Sequence, residues 1–262
     1  DVQQMLDDGI DLNEYIDEEG RITINGKVNV LHGSKLLFDK WFDWIGIFYN
    51  GLAWVQLNGK ANFIDKEGNT LSDKWFDGVG HFENGLAYVK LNGKYNYIDT
   101  EGNILSDKWF DDINYFNDGL ARVVLNEKEN FIDTKGNILS DRLKWFDGVG
   151  SFNNGIAKVL LNGKYNFINI EGNILSDTWF DRVISFENGL AKVVLNEKEN
   201  YINTEGNILS DKWFDWIDSF KNGLAKVRLN GKYNYIDTEG NILSDKWFDR
   251  VDYFYNGFSK VE

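Results

Sequence analysis

Seven copies of Asp-Lys-Trp-Phe-Asp, or a near variant, punctuate the chain, with tryptophans at Trp41, Trp75, Trp109, Trp145, Trp179, Trp213 and Trp247. The intervals are 34, 34, 36, 34, 34 and 34 residues, so one supersecondary unit has been copied in tandem. A unit this short cannot enclose a core of its own and must bury its apolar face against its neighbours. The sequence therefore predicts an all-β tandem repeat of seven β-meander units, arranged as an open β-solenoid or superhelical array. The alternative is a closed seven-bladed β-propeller in which Phe258 to Val261 pair with the first unit, although typical propeller repeats run to roughly 40 to 50 residues.

Residues 85 to 118 typify the unit. Leu86 to Leu91 alternate, and the Ala87, Val89, Leu91 face recurs as Ala53, Val55, Leu57 and again as Ala225, Val227, Leu229, the pattern of a strand with one buried side. The opposite side changes freely, with Trp54, Tyr88, Arg122, Lys158, Lys192 and Lys226 at one position, and is expected to face solvent or a partner. Asn92-Gly93 predicts a two-residue type I′ hairpin, which needs positive φ at both positions. Asn126-Glu127 and Asn196-Glu197 place a β-carbon where glycine is preferred, at a cost of about 1 kcal/mol. A return strand with Asn96, Tyr97 and Ile98 then meets a turn at Asp99 to Asn103, and Ile104-Leu105 and Trp109-Phe110 follow. Recurrence assigns most of the aromatic residues, the Trp-Phe pair included, to the core.

The ends and one insertion break the pattern. Residues 1–19 are expected to cap the array, with Val2, Met5 and Leu6 on one face of a short helix. Tyr15-Ile16-Asp17-Glu18-Glu19-Gly20 echoes the later Tyr-Ile-Asp-Thr-Glu-Gly as a decayed earlier copy. Residues 20–262 hold the seven repeats and end in the first strand of a partial eighth, Gly257 to Glu262. Arg142-Leu143 is inserted before Lys144-Trp145 and predicts a bulge or a longer turn.

The stretch Phe82 to Ile104, Phe-Glu-Asn-Gly-Leu-Ala-Tyr-Val-Lys-Leu-Asn-Gly-Lys-Tyr-Asn-Tyr-Ile-Asp-Thr-Glu-Gly-Asn-Ile, resembles the bacterial and phage WG-repeat family, whose repeats open on F-x-x-G-L-A-x-V and continue through an N-G-K-W-G-x-I-D hairpin. The resemblance spans residues 20–262. It departs at the dipeptide that names the family, where this chain has Ala61-Asn62, Tyr95-Asn96, Glu129-Asn130, Tyr165-Asn166, Glu199-Asn200 and Tyr233-Asn234. What it implies is a β-rich repeat protein with an interaction role and no family-wide catalytic residues. A shorter likeness, through N-G-K followed by aromatics, is to choline-binding and clostridial toxin repeats.

Lys and Arg number 28 against 42 Asp and Glu, a net charge of −14 that repels nucleic acid and anionic lipid. No apolar run approaches the roughly 18 residues of a membrane-spanning helix. Cysteine is absent, which removes thiolate metal sites and a Cys nucleophile. The two histidines, His32 and His81, stand at non-equivalent positions and supply neither a repeated metal site nor a triad. Asp65-Lys66-Glu67-Gly68-Asn69 and its copies lack the spacing of a calcium loop. No catalytic residue, metal or cofactor is assigned. The expected function is that of a non-catalytic binding or scaffold protein, showing a partner protein the variable positions Trp44, Trp54, Tyr88, Asp112, Arg182, Trp216 and Arg250. The alternative is a small-ligand or glycan binder using exposed aromatics, with Tyr95, Tyr165 and Tyr233, shared by alternate units, as the rival site.

Overall fold

The computed structural model describes residues 4–5, 8–9, 11–32, 35–139, 145–254 and 259–262. Arg142-Leu143, Gly257, Phe258, Val2 and Leu6 lie outside them. The chain is all-β, in seven three-stranded antiparallel sheets, each drawn from one continuous stretch of sequence. Sheet one comprises Arg21–Ile24, Lys27–His32 and Lys35–Leu36. Every later sheet runs short strand, first long strand, return strand. Sheet two is Trp44–Ile45, Ala53–Leu57 and Lys60–Ile64; sheet three is Gly78–Val79, Leu86–Leu91 and Lys94–Asp99. Sheet four is Asp112–Ile113, Leu120–Leu125 and Lys128–Asp133; sheet five is Gly148–Val149, Ile156–Leu161 and Lys164–Asn169. Sheet six is Arg182–Val183, Leu190–Leu195 and Lys198–Asn203; sheet seven is Trp216–Ile217, Leu224–Leu229 and Lys232–Asp237. The chain divides into two compact bodies, one of residues 1–126 with 132–137 and the other of 127–131 with 138–262.

The structural unit is offset from the sequence period. The short strand follows Trp-Phe-Asp and pairs with the long strand after it, so Ile113 belongs with Val123 and not with the hairpin that precedes it. In sheet three the buried side gathers Phe76, Val79, Ala87, Val89 and Ile98. The opposite side is not simply solvent. Return-strand aromatics lie there and are buried by the next repeat: Phe63 packs into the sheet-three core, and Tyr201 into that of sheet seven. Phe110 is wholly buried, whereas Trp109 is half-buried and closes the far end of the preceding core. The phenylalanine is thus the anchor, worth about 3 kcal/mol of burial, and the tryptophan acts as a lid between neighbours.

Three polar devices recur. First, a buried asparagine follows the variable residue of the return strand: Asn96 Nδ2 donates to the carbonyls of Ser106 and Lys108 at 2.8 and 2.9 Å, and its Oδ1 accepts the Tyr97 and Ser106 amides. This accounts for the asparagine where the family dipeptide has glycine, because a glycine has no side-chain amide to fasten the descending loop. Second, the Asp of Trp-Phe-Asp holds two hairpins. Asp111 pairs with Lys94 of the hairpin before it and accepts the Asn126 amide of the hairpin after it at 2.6 Å. Third, Asp99 Oδ1 accepts the amides of Glu101 and Asn103 while Oδ2 takes the Asn103 side chain, closing the turn. Asp17 does the same for Glu19 and Arg21, with the Arg21 guanidinium in place of the asparagine amide. The repeat geometry therefore reaches back through Ile16, which bridges Ile22, and the preceding segment holds a 3-10 turn at Leu12–Tyr15.

Turn geometry follows the residues. Asn92 and Gly93 have φ of 52° and 80°. Asn126 and Glu127 keep the same left-handed pair, at 51° and 63°, so the Glu-bearing hairpins retain the turn that strains a β-carbon. Glycines of the Asp/Asn-x-x-Gly turn are fixed by contact as well: a β-carbon on Gly206 would stand 1.7 Å from the Leu175 carbonyl oxygen of the preceding repeat. At the carboxyl end, Val261 bridges Val251 and the Glu262 amide donates to the Arg250 carbonyl. Residues 259–262 are thus engaged locally, at Arg250 and Val251.

Candidate functional site

The variable residue of each first long strand lies on the side of its sheet that meets the next short strand. That placement makes a slot between consecutive sheets. Its floor is the return-strand aromatic, its far wall is the second residue of the next short strand, and its contents are set by the variable side chains. In sheet six, Lys192 fills the slot: its ammonium donates to the Ile217 carbonyl of the next short strand and pairs with Glu199 Oε2 at 3.2 Å. Glu199 in turn accepts the Ile217 amide at 2.9 Å. Glu129 likewise accepts the Val149 amide at 2.8 Å. In sheet one, Arg21 donates to the Ile45 carbonyl at 3.1 Å, and in sheet seven Lys226 donates to the Val251 carbonyl at 2.8 Å.

Sheets two and three carry aromatics at the same position, and the slots there become open clefts. Trp54 is half-buried with its ring 6.3 Å from that of Trp44, which is 43% exposed and has the Arg21 guanidinium 5.2 Å from its centroid. Gly46 is required beneath them, since a β-carbon would sit 2.6 Å from the Trp54 indole. The cleft is about 650 Å³, with Ile47, Tyr49, His81 and Phe82 on its rim and walls. One repeat on, Tyr88 stands 6.4 Å from Tyr95 and 6.5 Å from Tyr115, with the rings near-perpendicular at 63° and 72°. Gly80 leaves room for Tyr88 as Gly46 does for Trp54. This second cleft is about 230 Å³ and is lined also by Glu83, Asp112 and Ile113. Its floor is Tyr97, whose hydroxyl donates to the Asn114 carbonyl. Burial, reinforced by Asp112, holds that phenol in its neutral form by raising its pKa far above the ordinary value.

The structure thus brings Trp44 and Trp54 together in one cleft, and Tyr88, Asp112 and Tyr95 together in the next. Tyr95 and Tyr88, placed by the sequence in rival sites, share a wall. Arg182 is exposed on the sheet-six short strand, Trp216 is half-buried on that of sheet seven, and Arg250 is exposed with an ion pair to Asp252 at 3.4 Å. Those three do not converge with the others into a single cavity. Tyr165 and Tyr233 are half-buried beneath lysines, with the Lys158 and Lys226 ammonium groups 5.3 and 4.6 Å from their centroids. Sequence reasoning missed Tyr115 and Glu83, which lie in the stretches flanking the strands. Their irregularity against Phe-x-Asn-Gly and the short-strand tail was the only available signal.

Most other recurring carboxylates are committed. The Lys60, Lys94 and Lys198 partners hold Asp77, Asp111 and Asp215 below the ordinary carboxylate value, helped by backbone amides of the next hairpin. Among the described residues no group of three or more His, Asp or Glu is placed to hold a metal ion. No helix among them is long and apolar enough to cross a membrane.

Comparison with known proteins adds the family. No curated protein matches the chain. Among solved structures, Hsv2 of Kluyveromyces lactis aligns at 8% identity and a TM-score of 0.30, over 73% of this chain and 71% of that one. A Bacteroides caccae protein aligns at 14% identity and a TM-score of 0.23, over 70% and 88% of the two chains. Hsv2 of Kluyvelomyces marxianus aligns at 10% identity and a TM-score of 0.31, over 80% and 77%. At these TM-scores the likenesses carry no further weight. The profile described as WG containing repeat matches seven successive segments, residues 37–60, 63–95, 97–128, 131–165, 167–198, 201–233 and 235–262, and the chain belongs to that family.

Proposed function

We propose that this protein is a non-catalytic recognition scaffold that takes a protein partner on the aromatic clefts of sheets two to four. The observation that carries the reading is the change of chemistry along one repeated position. Arg21, Lys192 and Lys226 reach across the slots beside sheets one, six and seven to a carbonyl on the next stretch, with about 590 Å³ still open beside Lys226, while Trp54 and Tyr88 put aromatic rings into theirs among exposed side chains. Trp44, Ile47, Tyr49 and Tyr115 are 43, 65, 70 and 69% exposed. Large rigid aromatics with apolar neighbours are what protein interfaces use as anchors. The net charge of −14 favours a neutral or basic partner over nucleic acid. Catalysis finds little support, because the recurring carboxylates of the repeat are tied into turns and hairpins.

A second reading has its own support: the 650 Å³ cleft walled by Trp44 and Trp54 is a suitable platform for a sugar ring. One variant pair separates the two. Trp44→Ala with Tyr49→Ala removes exposed side chains, so its melting curve should match the parent. Affinity capture from a cognate lysate should lose a discrete protein with this variant while a glycan array stays blank for both. A glycan signal in the parent that the variant abolishes, with no captured protein, overturns the partner reading.

A further inference from the structure

The chain contains its own reference compound for the Tyr88 cleft. Four repeats on, at the end of sheet seven, the equivalent slot has Tyr233 for Tyr95, Tyr253 for Tyr115 and Val251 for Ile113. There the Lys226 ammonium is seated 4.6 Å from the Tyr233 centroid and 5.9 Å from that of Tyr253, and it donates to the Val251 carbonyl at 2.8 Å. An alkylammonium held between two tyrosine faces and a backbone carbonyl is thus a state this scaffold already forms. At the Tyr88 cleft both tyrosines and the short strand are kept, but the lysine is replaced by a third ring. Ile113 lines the cleft, and none of the lining residues is a lysine or arginine.

The surrounding charges change with it. Lys221, which lines the Lys226 slot, corresponds to Glu83, and the exposed Arg250 beside it to Asp112, while Asp218, which lines that slot and accepts the Tyr253 hydroxyl at 2.9 Å, corresponds to Gly80. One slot therefore supplies its own cation beside Lys221 and Asp218, and the other presents four phenol rings and two carboxylates with no lysine or arginine among its lining residues. Two positive groups do lie nearby: Lys90, 4.9 Å from the Tyr95 centroid, and Arg122, 3.6 Å from Asp112. Neither lines the cleft.

We propose that the Tyr88, Tyr95, Tyr115 cleft binds an alkylammonium group, the side-chain cation of a lysine on the partner. Attraction of a cation to ring faces, strengthened by partial exclusion of water and by the two carboxylates, supplies the affinity, and the Ile113 carbonyl accepts a hydrogen bond from a primary ammonium. The inference rests on the partner reading for the source of the cation and goes beyond it in naming the group recognised.

The test uses the full chain and three probes: Nα-acetyl-lysine methylamide, its Nε-trimethyl form, and its neutral Nε-acetyl form, each titrated by calorimetry and by saturation-transfer NMR. Both cationic probes should bind, and the neutral one should be weaker by about tenfold or more. Tyr88→Lys rebuilds the Lys226 arrangement and should occupy the cleft from within. It should melt at or above the parent temperature and lose probe binding by about tenfold or more. Tyr115→Ala, at a largely exposed side chain, should weaken both cations with an unchanged melting curve, and it carries the test if Tyr88→Lys does not fold. Equal binding of the neutral probe, no saturable binding of either cation, or full binding by a folded Tyr88→Lys or Tyr115→Ala overturns the proposal. The two readings fail separately. Probes that bind while Trp44→Ala with Tyr49→Ala captures as much protein as the parent leave the cleft standing with a free amine as its ligand. Capture lost there without any probe binding sinks the cleft and keeps the partner.

Discussion

Each repeat meets its neighbour in two different ways. On the side of the Asp/Asn-x-x-Gly turn the contact is backbone to backbone: Gly102, Gly172, Gly206 and Gly240 each lie against the leucine carbonyl of the repeat before, where a β-carbon would stand about 2 Å from the oxygen. On the side of the first long strand the contact is made by side chains, and its chemistry alters from Arg21 to Trp54 to Tyr88 to Lys192. The difference shows where a repeat protein can vary. Backbone contacts admit one residue type, so the glycine is copied without change; side-chain contacts admit any group that fills or lines the slot. The clefts proposed for recognition accordingly lie on the second side.

The largest test of that contrast is a pair of Gly→Ala substitutions. Gly206→Ala forces a β-carbon into the Leu175 carbonyl at φ +89°, whereas Gly119→Ala meets nothing within 4 Å at φ +80°. The first should cost about 4 kcal/mol, combining left-handed strain with overpacking, and the second only about 1 to 2. Equal losses in chemical denaturation would show that the turn stack is soft and would erase the distinction.

Acid should act on the uniform side. Asp43, Asp77, Asp111, Asp147, Asp181 and Asp215 are lowered from 3.8 by lysine partners first, then by backbone amides. Asp65, Asp99, Asp133 and Asp237 are lowered too, their turn hydrogen bonds outweighing the opposing effect of burial. A carboxyl whose folded pKa lies below its unfolded value contributes stability that is fully present above about pH 4 and is lost as pH falls through the lowered value. Melting temperature should therefore be flat from neutral pH to about 5 and decline below about 4. A decline that sets in well above pH 5 would show that these carboxylates do not set the acid limit.

Smaller effects belong to the variable side. Lys192→Met leaves Glu199 bonded to the Ile217 amide but without its cation; with both groups about 15% exposed, the cost should be about 1 kcal/mol. A loss as great as that of Gly206→Ala would make the slots as demanding as the turns. Glu127→Gly should stabilise by about 1 kcal/mol, because the hairpin keeps positive φ at both positions. A destabilisation would show that the Glu127 side chain has a role beyond the turn.

Much of this was legible in the sequence, and the limits have physical causes. The Trp-Phe-Asp period, the alternating Ala87-Val89-Leu91 face and the Asn-Gly hairpins are local signals, and each appears as read. What the period conceals is where a sheet begins, since the pairing of Ile113 with Val123 depends on strand order and not on repeat spacing. The half-exposure of Trp109 was likewise hidden, because recurrence marks a structural role without saying how much of the side chain is covered. Asn96 reads as an ordinary strand residue until its carbonyl partners ten and twelve positions on are seen. At the candidate site, Trp44, Trp54, Tyr88 and Asp112 were found by their variation. That Tyr95 shares a cleft with Tyr88, and that Tyr115 completes it, follows only from one sheet facing the next.

The double grip of Asp111 has a consequence for how the chain reaches its structure. Its lysine lies 17 residues behind it and its amide partner 15 residues ahead, and the other Trp-Phe-Asp carboxylates keep nearly the same reach. Each grip closes a short loop, and the entropy of closure rises only with the logarithm of loop length, so every repeat can fasten at nearly the same modest cost. The chain has no need to wait for a distant segment: as residues leave the ribosome, a completed hairpin is secured by the very next aspartate and presents its edge to the one after. Assembly can thus proceed as a zipper in the order of synthesis, and the number of repeats can change by whole copies without altering the steps by which any one of them is made.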